Sequence, residues 1–208
     1  MYGLNEKELK LLKSLNTPKK IQDFLNKIPI NFEKEGDTCM SPKMVLEKNK
    51  AHCIEGAMLA ALALRINGAK PLVVDLTSVP EDFDHVICVF KRNGFWGAIS
   101  KTNHGVLRFR DPIYRTPREL AISYFHEYFL ADTGRKTLRA YSRPFSLKRF
   151  GNKWVTSDEN LWDIAHALDE STHFPLVPKN YAKHLRPSSN TERAAGSIAE
   201  LDKKNPRT

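Results

Sequence analysis

The chain has little of what would make it a membrane, secreted or metal-bound protein. No apolar run approaches the roughly 18 residues of a membrane span. The longest, from Ala57 to Leu64, stops far short. The opening residues, MYGLNEKELKLLKSL, are charged and amphipathic and hold no signal-peptide core. Cysteine is scarce, with three in 208 residues: Cys39, Cys53 and Cys88. An odd, low count argues against a disulfide framework, and the spacing fits no zinc pattern. The expected setting is the reducing cytoplasm, with no membrane contact, no bound metal and no cofactor. Internal repeats are absent too, which excludes solenoids and propellers.

What is present is ordinary globular composition: 41% hydrophobic and 27% charged residues, enough for one sizeable core. The net charge is +9. Lys and Arg are interspersed with acids and form no basic helix stripe with aromatics between. Nucleic acid is therefore not the expected partner. The oligomeric state is open.

Local signals mark the elements. Glu and Leu spacing after Asn5 predicts a helix to Leu15. Thr17-Pro18, Ser41-Pro42 and Thr116-Pro117 each place an N-cap before a proline at the first helical position. Lys50 to Asn67 predicts a helix that is apolar nearly all round and so buried, closed by Asn67-Gly68. Pro71 to Leu76, His85 to Arg92 and Phe95 to Ser100 read as strands, the last two joined by the Asn93-Gly94 hairpin turn. Val106 to Arg110 alternates apolar and basic and is expected as the next strand. Lys153 to Val155 is expected to be extended. Thr156 with Glu159 fits a capping box for a last helix. Residues 182–208 are polar and are expected to be a disordered basic tail.

The stretch that carries chemistry is the helix opening at Cys53. A thiol at a helix N-terminus sits among unpaired N–H groups at the positive end of the dipole, which favours thiolate. It needs a base from another part of the chain, and His85, at the mouth of a strand behind an acidic loop, is the candidate. His52 is expected to face away or to cap the helix. Gly56 leaves room for a close approach over the cysteine. Cys88 falls mid-strand and reads as structural.

Cys53 in HCIEGAMLAALAL, Gly68 after the helix, His85 in DHVICVF, and Gly94 and Trp96 in NGFWGAIS follow one another in an order that resembles the transglutaminase-like superfamily, which shares the papain-like cysteine-enzyme core. The likeness runs from Ser41 to Asp111. It implies an α+β fold: a buried, cysteine-bearing helix packed on an antiparallel β-meander, with N- and C-terminal helices. Residues 1–181 would form one domain: N-terminal helices to residue 40, a catalytic core over 41–112 and an extension over 113–181. Two positions depart from the pattern. Ile87 replaces an aromatic two residues after the histidine, and Ser100 stands where an acid usually orients the imidazole. Asn103 and Asp111 are the alternative orienters. The resemblance also implies an oxyanion site at the backbone N–H of Cys53, helped by a polar side chain among Cys39, Ser41 and Asn49. Cys39 could instead be a second thiol in the pocket. No calcium-loop pattern is present.

The expected function is a cysteine-dependent hydrolase or acyltransferase. A Cys53 nucleophile with a His85 base would act on a peptide or other amide- or ester-containing substrate. The alternative is a catalytically lapsed binding module on the same scaffold.

Overall fold

The computed structural model describes residues 2–200. Residues 201–208, the end of the stretch expected to be disordered, lie outside the described residues. Four helices come first: α1 (Glu6–Ser14), α2 (Pro18–Leu25), α3 (Pro42–Lys48) and α4 (Cys53–Ile66). The meander follows: β1 (Leu72–Thr77), β2 (His85–Arg92), β3 (Phe95–Ile99) and β4 (Arg110–Tyr114). Then come α5 (Pro117–Ile122), β5 (Ala140–Ser142), β6 (Phe145–Ser146), α6 (Lys153–Thr156), α7 (Trp162–Asp169), β7 (His173–Pro175) and α8 (Asn190–Gly196).

The three Ser/Thr-Pro signals act as caps: Thr17, Ser41 and Thr116 each accept the backbone N–H three residues on. Asn93 and Gly94 both take positive φ, 51° and 88°, as a tight hairpin needs. The fold is α+β, with an antiparallel sheet in the order β4-β3-β2-β1-β5-β7. β6 pairs with the other end of β1, and Pro144, which has no N–H to donate, separates it from β5.

The helix layer covers one face of this sheet. Every residue of α4 from Ile54 to Leu64 is buried. Its four alanines, Ala57, Ala60, Ala61 and Ala63, allow close packing against Val86, Cys88 and Phe90. Burial of each larger member, such as Leu59 or Leu62, contributes roughly 1.5–3 kcal/mol. The opposite face takes Ile87 and Val89 against Leu120, Tyr124, Tyr128 and Leu138. β2 is thus covered on both sides, and so its sequence is apolar without alternation.

Four expectations are corrected. Val106 to Arg110 is not a strand; β4 begins at Arg110, because Leu107 turns inward with φ 60° and donates its N–H to Glu127 at 2.8 Å. Pro112 is tolerated in β4 because that strand lies at the sheet edge. Lys153 to Thr156 is helical, with Trp154 and Val155 fully buried. The last helix of the extension starts at Trp162 with no side-chain cap, and Ser157 bonds Glu159 locally instead. Within the expected tail, α8 is a helix with a capping box of Ser189 and Glu192.

Candidate active site

Cys53 is the first residue of α4 and is half-buried. A parallel bridge between Ile30 and Ala51 fixes the approach to the helix. Ala51 donates to Pro29 at 3.1 Å and Asn31 to Ala51 at 3.1 Å. The thiol lies in a cleft of about 800 Å³ whose walls include Phe83, Asp84, His85, Val106, Tyr128 and Trp162. Phe83 stands 89% exposed at this cleft.

His85 opens β2 and is buried. Extending the β2–β3 register by one residue puts Ser100 opposite Ile87, diagonal to His85 on the same side. The Ser100 hydroxyl donates to the Leu107 carbonyl at 2.6 Å, so it accepts the Nε2–H of His85 at 2.8 Å. That arrangement leaves Nδ1 of His85 as the nitrogen that takes or gives a proton. The left-handed backbone of Leu107 is what aims its carbonyl at Ser100.

Ser100 is itself clamped. Gln22 of α2, buried, accepts the Ser100 N–H at 2.9 Å and donates to the Ser100 carbonyl at 2.8 Å. The residue after Ser100, Lys101, buries its stem against α4 and donates its ammonium to the Ile28 carbonyl. Burial lowers its pKa. Gly56 is where that stem passes, since a Cβ there would meet Lys101 Cβ at 2.4 Å. The close approach over the cysteine helix that the glycine allowed is thus made by Lys101.

His52 is the N-cap residue of α4, one of the two places expected for it, and its ring does not face away from the thiol. Its Nδ1 lies 3.9 Å from Cys53 Sγ, and its Nε2 donates to the Thr38 carbonyl at 2.8 Å. Glu55, fully buried one turn on, stands 3.4 Å from the same Nε2. Glu55 also accepts the Thr38 hydroxyl at 2.7 Å, the Met40 N–H at 2.9 Å, the His52 N–H at 2.9 Å and the Asn31 amide at 3.3 Å.

These contacts set the charges. Burial opposes ionisation of Cys53, but hydrogen bonds from His52 and then His85, with the charge of both, hold the thiol down at about 5. Burial opposes the charge of His52, and its contacts with Cys53 and Glu55 overcome that and raise it to about 11. Glu55 is held at about 2, its burial outweighed by His52, the Met40 N–H and the Thr38 hydroxyl.

The remaining candidates separate clearly. Asn103 lines the cleft, but Ser100 occupies Nε2 of His85. Asp111 is exposed on β4, away from the cleft. None of Cys39, Ser41 and Asn49 lines the cleft. Cys39 is fully buried, and burial followed by the charge of Glu55 pushes it up to about 12. Ser41 caps α3 and Asn49 closes it in a left-handed turn. Cys88 is enclosed in the core, where burial raises its pKa. Among the described residues no group of His, Cys, Asp and Glu could hold a metal ion, and no helix is long and apolar enough to cross a membrane.

Three residues of this site carried little or no signal in the sequence. Gln22 is one polar residue in an amphipathic helix. His52 and Glu55 sit three apart at a helix start, a spacing that lets the acid reach back over the first turn. No protein-family model matches the chain, and no protein of curated function matches it significantly.

Proposed function

We propose that the protein is a transglutaminase-like thiol enzyme that hydrolyses an amide or ester, or passes its acyl group to an amine. The observation that carries this reading is Cys53: a half-buried thiol at a helix N-terminus, on a cleft, between two imidazoles that hold it at about 5.

The thiolate sulfur attacks the acyl carbon and the carbonyl electron pair moves onto oxygen. The unpaired N–H groups at the start of α4 are placed to receive that charge. His85, oriented by Ser100, gives its Nδ1 proton to the departing nitrogen or oxygen as the carbon–leaving-group bond breaks. Water or an amine then loses a proton to His85 and attacks the thioester. The carbon–sulfur bond breaks and the thiolate returns. Ser100 orients the ring without supplying charge, which also favours a second reading, a lapsed module that binds but does not turn over.

Iodoacetamide alkylation followed across pH tests this. Cys39 and Cys88 are enclosed, so the folded protein should label at Cys53, with half-maximal rate near pH 5. A midpoint near the usual thiol value of about 8.5 removes the enzyme reading. With p-nitrophenyl acetate, repeated nitrophenolate release that Cys53→Ala abolishes supports turnover. A single stoichiometric burst supports the lapsed module.

A further inference from the structure

We propose, resting on the thiol-enzyme reading, that His52 is a second catalytic imidazole. It stands beside the Cys53 sulfur as a fixed cation held by Glu55, so that keeping the thiolate and moving the proton fall to different histidines.

The geometry divides the work. A neutral imidazole has one N–H and one lone pair. Both nitrogens of His52 face acceptors: Nδ1 the sulfur at 3.9 Å, and Nε2 the Thr38 carbonyl at 2.8 Å, with Glu55 and Glu33 carboxylate oxygens at 3.4 and 3.5 Å. With Cys53 as the thiolate of the proposed enzyme, only the doubly protonated ring satisfies both sides, since a thiol S–H could otherwise donate to Nδ1 of a neutral ring. Glu55 cannot easily release that charge, since four further donors from Thr38, Met40, His52 and Asn31 hold it ionised. The other titratable groups acting on the pair are His85, Cys39 and Tyr128. Burial pushes the last two up, and they stay uncharged.

His85 is built differently. Its partner is a hydroxyl whose own proton goes to Leu107, so the ring is aimed without a negative charge behind it. Where an acid would be expected at residue 100, the buried negative charge stands instead at Glu55, behind the other histidine. One thiolate and one buried carboxylate balance two imidazolium ions in the reactive form. His85 gives its proton to the leaving group and recovers one from the attacking water or amine. His52 keeps both of its protons throughout, and the sulfur leaves the acyl carbon as thiolate, unprotonated, beside that cation.

Two measurements on the full chain decide this. The first needs no variant: ¹⁵N resonances of the His52 ring should show both nitrogens protonated at pH 8. The second compares His52→Asn with His85→Asn, each checked for folding by circular dichroism. At pH 6, His52→Asn should slow iodoacetamide alkylation of Cys53 at least about tenfold, and His85→Asn less than about threefold. With p-nitrophenyl acetate, His85→Asn should slow turnover at least about a hundredfold, while turnover by His52→Asn recovers as pH rises. A neutral His52 at pH 8, or a larger alkylation loss in His85→Asn than in His52→Asn, overturns the proposal. The thiolate then belongs to Cys53 and His85, and the thiol-enzyme reading survives. Ordinary-thiol alkylation of the unaltered chain removes both together.

Discussion

Two buried carboxylates in this chain each face a histidine, and they titrate in opposite directions. Glu55, at the candidate site, is fully buried and held at about 2. Asp75, in the middle of β1, is 3% exposed and raised to about 6, by burial first and then by the charge of Asp84. Their histidines are similarly placed: His52 Nε2 is 3.4 Å from Glu55 and His173 Nε2 is 3.0 Å from Asp75. The difference lies in the other donors. Besides its histidine ring, Glu55 gathers a hydroxyl, two backbone N–H groups and an amide. Asp75 has the Thr77 hydroxyl at 2.8 Å and a like charge nearby. Burial opposes both charges, and the count of donors decides which carboxylate keeps its own.

The largest test of this contrast is Glu55→Gln. The change keeps the shape, removes the charge beside His52, and turns an amide N–H₂ toward the backbone N–H of Met40 or of His52, which can only donate. Breaking one side of a buried pair costs roughly 3–5 kcal/mol. Urea unfolding at pH 7 should show a loss of that size. A loss under about 1 kcal/mol would mean that the donors do not hold the charge, and the contrast with Asp75 would collapse.

Local chemistry was legible in the sequence and long-range chemistry was not. Thr17, Ser41, Thr116 and Asn93-Gly94 act within four residues, and each does what its residue type dictates. The bounds of α4 and β2 follow from the same kind of signal. Leu107 shows the limit: its alternating neighbours favour a strand, but Ser100 and Glu127 take its carbonyl and N–H and bend the chain. Lys153 to Val155 looked extended because too few residues separate helix from strand there. The tail held a readable signal, Ser189 with Glu192, which its polar composition masked. At the candidate site, Cys53, His85 and Ser100 were all nominated from sequence; Cys53 and His85 line one cleft, and Ser100 stands buried behind His85. Gln22 and the approach of His52 depend on tertiary packing, which no local pattern encodes.

Acid titration sharpens the contrast with a smaller effect. The folded pKa of Glu55, about 2, lies below its unfolded value, so its stabilisation is present above pH 4.5 and is lost as pH falls toward 2. That loss is about 3 kcal/mol. Asp75 runs the other way: its folded value of about 6 lies above the unfolded one, so its contribution is complete below pH 3.8 and is lost as pH rises through 6. Between them the two groups place a stability maximum near pH 4. Thermal unfolding across pH 2.5 to 7.5 checks it. Glu55→Gln should flatten the acid side and leave the neutral side sloping. A parallel shift of the whole curve would show that neither carboxylate titrates as described.

The smallest effect is expected from Asp75→Asn. At pH 7 the carboxylate of Asp75 is ionised and buried with few donors, a state that burial disfavours. A neutral amide of the same shape removes that cost. Its oxygen can still accept from Thr77 and from Nε2 of His173, the two bonds that Oδ2 makes now. The opposing term is the loss of charge on the His173 contact. The net change should be a gain of about 1 kcal/mol at pH 7, shrinking as pH falls through 6 and the wild-type group takes up its proton. Urea midpoints at pH 7 and pH 4.5 measure both ends. A loss of stability at pH 7 would make Asp75 and His173 a net stabilising pair like Glu55 and His52. The two carboxylates would then differ in degree and not in sign, and donor count would no longer explain why only one of them sits behind a candidate nucleophile.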